Sequence, residues 1–158
     1  MSITHLGQPP TQHVVLESIG VANTGDPRQD LDFFRVHPDA SLTPSGPAGF
    51  RVPPGQVLVV TDADWQYNLG SPGGLQTLRC FIQNLNDPTI ARRVFESTVV
   101  LDKDGQGGAS EDMTAGFMVA ATARITVDTS PGGGKISHVL LRGYLVREKT
   151  AAIHRSAG

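Results

Sequence analysis

The residues with the most chemical promise sit close together in the middle of the chain: Asp62, Asp64, Trp65, Tyr67 and Asn68. In an extended backbone Asp62 and Asp64 project to one side while Trp65 and Tyr67 share the other. A strand end built this way sets paired carboxylates opposite a two-ring platform. Sugar-binding surfaces stack pyranose faces on such rings, and carboxylates or amides, here Gln66 and Asn68, take the hydroxyls. The competing reading makes Trp65 a plug at one end of a hydrophobic core, with the aspartates satisfying loop amides.

A second acidic group follows. Asp102-Lys103-Asp104-Gly105 resembles the opening of an oxygen-ligand loop, with Glu111 and Asp112 close behind. Full EF-hand spacing is missing, and Asp-Gly between two strands is a strong turn signal in its own right. Calcium through Asp102, Asp104 and Glu111 therefore stands as a weak candidate beside a plain turn.

Other chemistries find little footing. The five histidines, His5, His13, His37, His138 and His154, contain no His-x-His pair, which argues against the converging imidazoles of a cupin-type metal centre. Ser110 lies beside acids in GGASED, but no G-x-S-x-G elbow is present and no histidine is tied to it by spacing. PGGGK at 131–135 lacks the Walker spacing and reads as a hairpin loop. An enzyme is not expected.

Cys80 is the only cysteine, so an intramolecular disulfide and a Cys-based zinc site are both ruled out. In the context LRCFIQ it reads as a small buried hydrophobe.

The elements that must position these groups are strands. Charged residues make up 18% of the chain, while 18 glycines and 11 prolines supply many turns without a collagen-like period. LQTLRCFIQNL alternates Leu78, Cys80 and Ile82 against Thr77, Arg79, Phe81 and Gln83. HVLLRGYLVRE sets Val139, Leu141, Gly143 and Leu145 on one face and Leu140, Arg142, Tyr144 and Val146 on the other. HVVLESIGVA, LDFFRVH and ARRVFESTVVLD complete the set, although Ile90, Val94 and Phe95 also stand at helical spacing after an Asp-Pro start.

The stretch FRVPPGQVLVVTDADW at 50–65 combines a corner with a core strand. Val52 before Pro53 is driven toward extended backbone, Pro53 and Pro54 fix φ, and Gly55 is free to take the positive φ that closes the turn. Val57 to Val60 are apolar without interruption, the pattern of a strand covered on both faces. FMVAATARITV at 117–127 echoes this stretch at an offset of 67 residues, with Phe117, Val119, Ile125 and Val127 matching Phe50, Val52, Leu58 and Val60.

Seven to nine strands and scarcely any helix predict an all-β fold, a two-sheet antiparallel β-sandwich of jelly-roll type. Its expected extent is 13–148, with an arm at 1–12 and a flexible tail at 149–158. The formal net charge of -2 supplies no basic field for nucleic acid. No apolar run approaches the roughly 20 residues of a membrane span. MSITHLGQPPTQ does not read as a Sec signal peptide, so the expectation is a soluble protein, cytoplasmic or exported by another route.

Two functions fit these features. One is a non-catalytic assembly protomer that forms a homo-oligomer in which the N-terminal arm at 1–12 and strands apolar on both sides pack against neighbours. The other is a module that binds carbohydrate or another small ligand at the Asp62 to Asn68 rim.

Overall fold

The structure, a computed structural model, describes residues 12–18, 33–43 and 49–148. The expected arm before Gln12, the tail at 149–158 and the NTGDPRQD turn cluster lie outside the described residues.

Nine strands run in chain order: β1 (His13–Ser18), β2 (Phe33–Val36), β3 (Leu42–Thr43), β4 (Gln56–Asn68), β5 (Leu75–Asn84), β6 (Ala91–Val100), β7 (Gly107–Ala120), β8 (Ala123–Ser130) and β9 (Lys135–Arg147). They form two antiparallel sheets, six-stranded in the order β3-β2-β1-β9-β4-β7 and three-stranded in the order β6-β5-β8. The protein is thus an all-β sandwich of two antiparallel sheets. A jelly roll in particular, with its eight strands in two sheets, is not established by this arrangement, because β2 and β3 extend the larger sheet and leave the split at six and three.

The Pro-Pro-Gly corner forms as its residues dictate. Gly55 takes φ +74°, the Gln56 amide donates to the Pro53 carbonyl at 3.1 Å, and β4 starts at once. The Gly55 carbonyl also accepts from the Glu148 amide just past the end of β9, which pins β4 and β9 together at this end.

The helical spacing at 90–95 does not prevail. Asp87 accepts from the Thr89 amide and hydroxyl in a tight turn, and Ala91 onward pairs with β5, Phe95 opposite Cys80. A sheet edge already in place offers this segment cross-strand partners that an isolated turn of helix lacks. The echo between 50–60 and 117–127 is not structural throughout. Phe50 and Val52 precede a strand whereas Phe117 and Val119 lie within β7, and only Leu58, Val60, Ile125 and Val127 share the role of buried strand residues.

The facing sides of the two sheets enclose one core that includes Leu16, Leu58, Val60, Trp65, Leu78, Cys80, Val127, Val139 and Leu141. Within β4 the inward positions are Leu58 and Val60, then Ala63, Trp65 and Tyr67. The phase changes because Thr61 is an extra residue: Val60 pairs with Gly143 and Asp62 with Arg142, adjacent residues of β9. Opposite, β7 carries a longer irregularity that ends at Gly116, whose φ is +70° and whose Cβ, if present, would collide with the Val60 carbonyl. Strict alternation from Leu58 and Val60 would have sent Asp62 and Asp64 into the core. The bulge sends them to solvent and gives the core Trp65 and Tyr67.

Candidate functional site

The outer face of the six-stranded sheet is assembled in rows across the strands. Asp62 lies between Arg142 of β9 and Asp112 of β7, and Asp64 lies between Leu140 and Ser110. Gln66 lies between His138 and Gly108. A second irregularity, between Gln66 and Tyr67 on the β9 side, adds twist at this level. The result is an open groove of about 770 Å³ lined by β4, β7, β9 and the loop between β6 and β7. Gly107 and Gly108 carry no side chain into it.

Asp64 is the hub of the groove. Its Oδ2 lies 2.6 Å from Arg142 Nη1, which also reaches Asp62 Oδ1 at 3.2 Å. The Ser110 hydroxyl donates to Asp64, and this bond, together with the Arg142 guanidinium, holds the carboxyl below the usual aspartate range against the opposing effect of partial burial. His138 Nδ1 lies 3.7 Å from Glu17 Oε1 at the next strand along. Ser110 and His138 stand on the two strands that flank β4, Ser110 opposite Asp64 and His138 opposite Gln66.

The five rim residues are therefore divided by the sheet. Asp62 and Asp64 face outward, and Asp64, Gln66 and Asn68 line the groove. Trp65 and Tyr67 face inward and are each 1% exposed. Trp65 Nε1–H donates to the Ser97 hydroxyl at 2.9 Å, and that hydroxyl donates to Glu111 Oε1 at 2.7 Å. The Tyr67 hydroxyl accepts from the Gly134 amide at 2.8 Å. A two-ring stacking platform is thus corrected to a core plug: in a chain with so few aromatics the core takes the largest rings, and each finds a partner for its polar atom.

The three candidate calcium ligands do not converge. Asp102 Oδ1 accepts from the amides of Asp104 at 2.8 Å and Gln106 at 2.9 Å, which closes the hairpin loop and lowers the Asp102 pKa, the Gln106 amide more than the Asp104 amide. Asp104 pairs with the neighbouring Lys103 at 3.0 Å, and Glu111 is committed to Ser97. Among the described residues no group of three His, Cys, Asp or Glu side chains stands ready for a metal ion. The loop is a turn held by an aspartate, and the carboxylates that do gather, Asp62 and Asp64, gather around an arginine.

Sequence reasoning missed Arg142, Ser110 and His138 as members of this site. Arg142 carried one signal, as the lone charge within an otherwise apolar run on β9, but nothing local named its partners. No protein-family model matches the chain, and no curated protein matches it. The fold and the site together define a two-sheet antiparallel β-sandwich with a charged polar groove on the solvent side of its larger sheet. Among the described residues no helix is long and apolar enough to cross a membrane.

Proposed function

We propose that this chain is a non-catalytic β-sandwich protomer that self-associates through the outer face of its six-stranded sheet. One observation carries this reading. Beside the polar groove the same face turns apolar, with Val36 next to Val15, Val59 between Tyr144 and Met118, and Val57 between Val146 and Ala120. An antiparallel sheet with one face in water normally alternates, polar on that side. Here β4 and β9 are apolar on both sides in this half, and Met118 stands 66% exposed. Apolar side chains grouped on an outer sheet face, Val59 buried among them and Met118 open to solvent, support a protein–protein contact, and a second copy is the partner always at hand.

Light scattering on the full chain tests the reading. The expected native mass is a whole multiple of 16.8 kDa greater than one, and Met118→Glu, at a position open enough to leave the fold intact, should return it to a single protomer. A wild-type monomer at working concentration overturns the proposal.

A second reading is favoured by the groove itself. Its volume lies within the range of small-ligand sites, and its polar groups converge from three strands. A ligand-binding module, with carbohydrate as the ligand class, uses Asp62, Asp64, Gln66 and Asn68 without the rings of Trp65 and Tyr67.

A further inference from the structure

We infer that the groove is a site for a neutral saccharide, recognised edge-on through its hydroxyls by carboxylate and amide groups and not by ring stacking. This inference rests on the ligand-binding reading and names the ligand. The groups fall into two sets. Asp64, Arg142 and Ser110 hold one another, so their geometry is fixed before any ligand arrives. Gln66 and Asn68 are different: among the described residues their side-chain amides have no hydrogen-bond partner in the protein, and both line the groove. Each amide offers two donors and an acceptor.

A sugar hydroxyl both donates and accepts, so it is met fully by a carboxylate oxygen on one side and an amide or guanidinium N–H on the other. β4 supplies that pairing at one step of its outer face, where Asp64 is followed at the next outward position by Gln66 and then by Asn68, all three lining the groove. Charge decides between kinds of saccharide. Asp62, Asp64, Asp112 and Glu17 share this face with Arg142, which is already bonded to two of them, and with Lys135 opposite Asn68, so the carboxylates still outnumber the cations. An acidic sugar would meet net repulsion, whereas a neutral one loses nothing.

The side-chain amide signals of Gln66 and Asn68 in 15N-correlated NMR spectra of the full chain read the site directly. Maltose, cellobiose and lactose are the neutral probes, digalacturonate the acidic one and 1,4-diaminobutane the cationic one. Saturable movement of both amide pairs by at least one neutral disaccharide is expected, with Kd in the range of about 1 mM usual for such contacts. Digalacturonate should leave them still. The Gln66→Ala/Asn68→Ala variant, followed through the backbone amide signals of β4 in the same spectra, should bind the same disaccharide at least about tenfold more weakly with its melting temperature unchanged. Stronger binding of digalacturonate, or no response to any neutral disaccharide up to about 50 mM, overturns the inference. Movement with 1,4-diaminobutane alone overturns the saccharide but leaves a ligand groove standing, and silence with every probe removes both.

Discussion

The Trp65–Ser97–Glu111 chain makes a demanding test of how this sandwich is held shut, because it ties β4, β6 and β7 together across the gap between the two sheets. Ser97 is 4% exposed and stands between a fully buried indole N–H and a carboxylate. Ser97→Ala deletes only a hydroxyl, so the void it leaves is too small to matter greatly. The larger cost is an indole N–H at a 1% exposed residue left without an acceptor, worth about 1–3 kcal/mol. Glu111 is only partly buried and regains water, so it adds little. The expected loss is about 2 kcal/mol, which for a domain of this size lowers Tm by roughly 4–8 °C.

Urea unfolding followed by far-ultraviolet circular dichroism measures it in every variant, including those that lack Trp65, the only tryptophan in the chain. Trp65→Phe removes the donor together with part of the ring. If the deficit comes from the orphaned N–H, adding Ser97→Ala to Trp65→Phe should cost about 1 kcal/mol less than it does in the wild type. A Ser97→Ala variant within about 0.5 kcal/mol of wild type, or costs that simply add in the double variant, would refute the reasoning that the indole N–H depends on Ser97.

Three further outcomes are expected. Gly143→Ala should destabilise by about 3 kcal/mol or more in chemical denaturation, because a Cβ there meets the Val59 carbonyl between two paired strands that have no room to part. Cys80, whose thiol burial pushes up to about 12, should resist an aromatic disulfide reagent in the folded protein and react fully in denaturant; rapid native labelling would show the core to be open at β5. Asp64 has a folded pKa below its ordinary 3.8, so it contributes stability that is complete above that value and lost as pH falls through the folded pKa. The stability gap between wild type and Asp64→Asn should therefore hold steady above about pH 5 and shrink below pH 4, and a gap that widens in acid would contradict the Ser110 and Arg142 bonds.

Much of the architecture was legible along the chain, since its signals are local. Alternation placed Leu78 and Cys80 inward on β5 and divided β9 correctly, with Val139, Leu141, Gly143 and Leu145 on the core side. Pro53, Pro54 and Gly55 marked a corner because proline and glycine restrict or free φ whatever surrounds them. The apolar run Val57 to Val60 announced a strand apolar on both sides, and for that very reason concealed which of its residues face the core.

That last choice belonged to the tertiary structure. Whether Asp62 and Asp64 point to water depends on Thr61 standing unpaired against β9, and a bulge is set by hydrogen bonds to strands some 50 to 80 residues away along the chain. The same holds for the site. Composition offered carboxylates and rings in one short stretch, but the fold divided them, sent the rings to the core and brought Arg142 and Ser110 to the carboxylates. Periodicity fixes which residues of a strand share a face, because the backbone repeat is intrinsic to the strand. Register fixes what that face meets, and register exists only between strands.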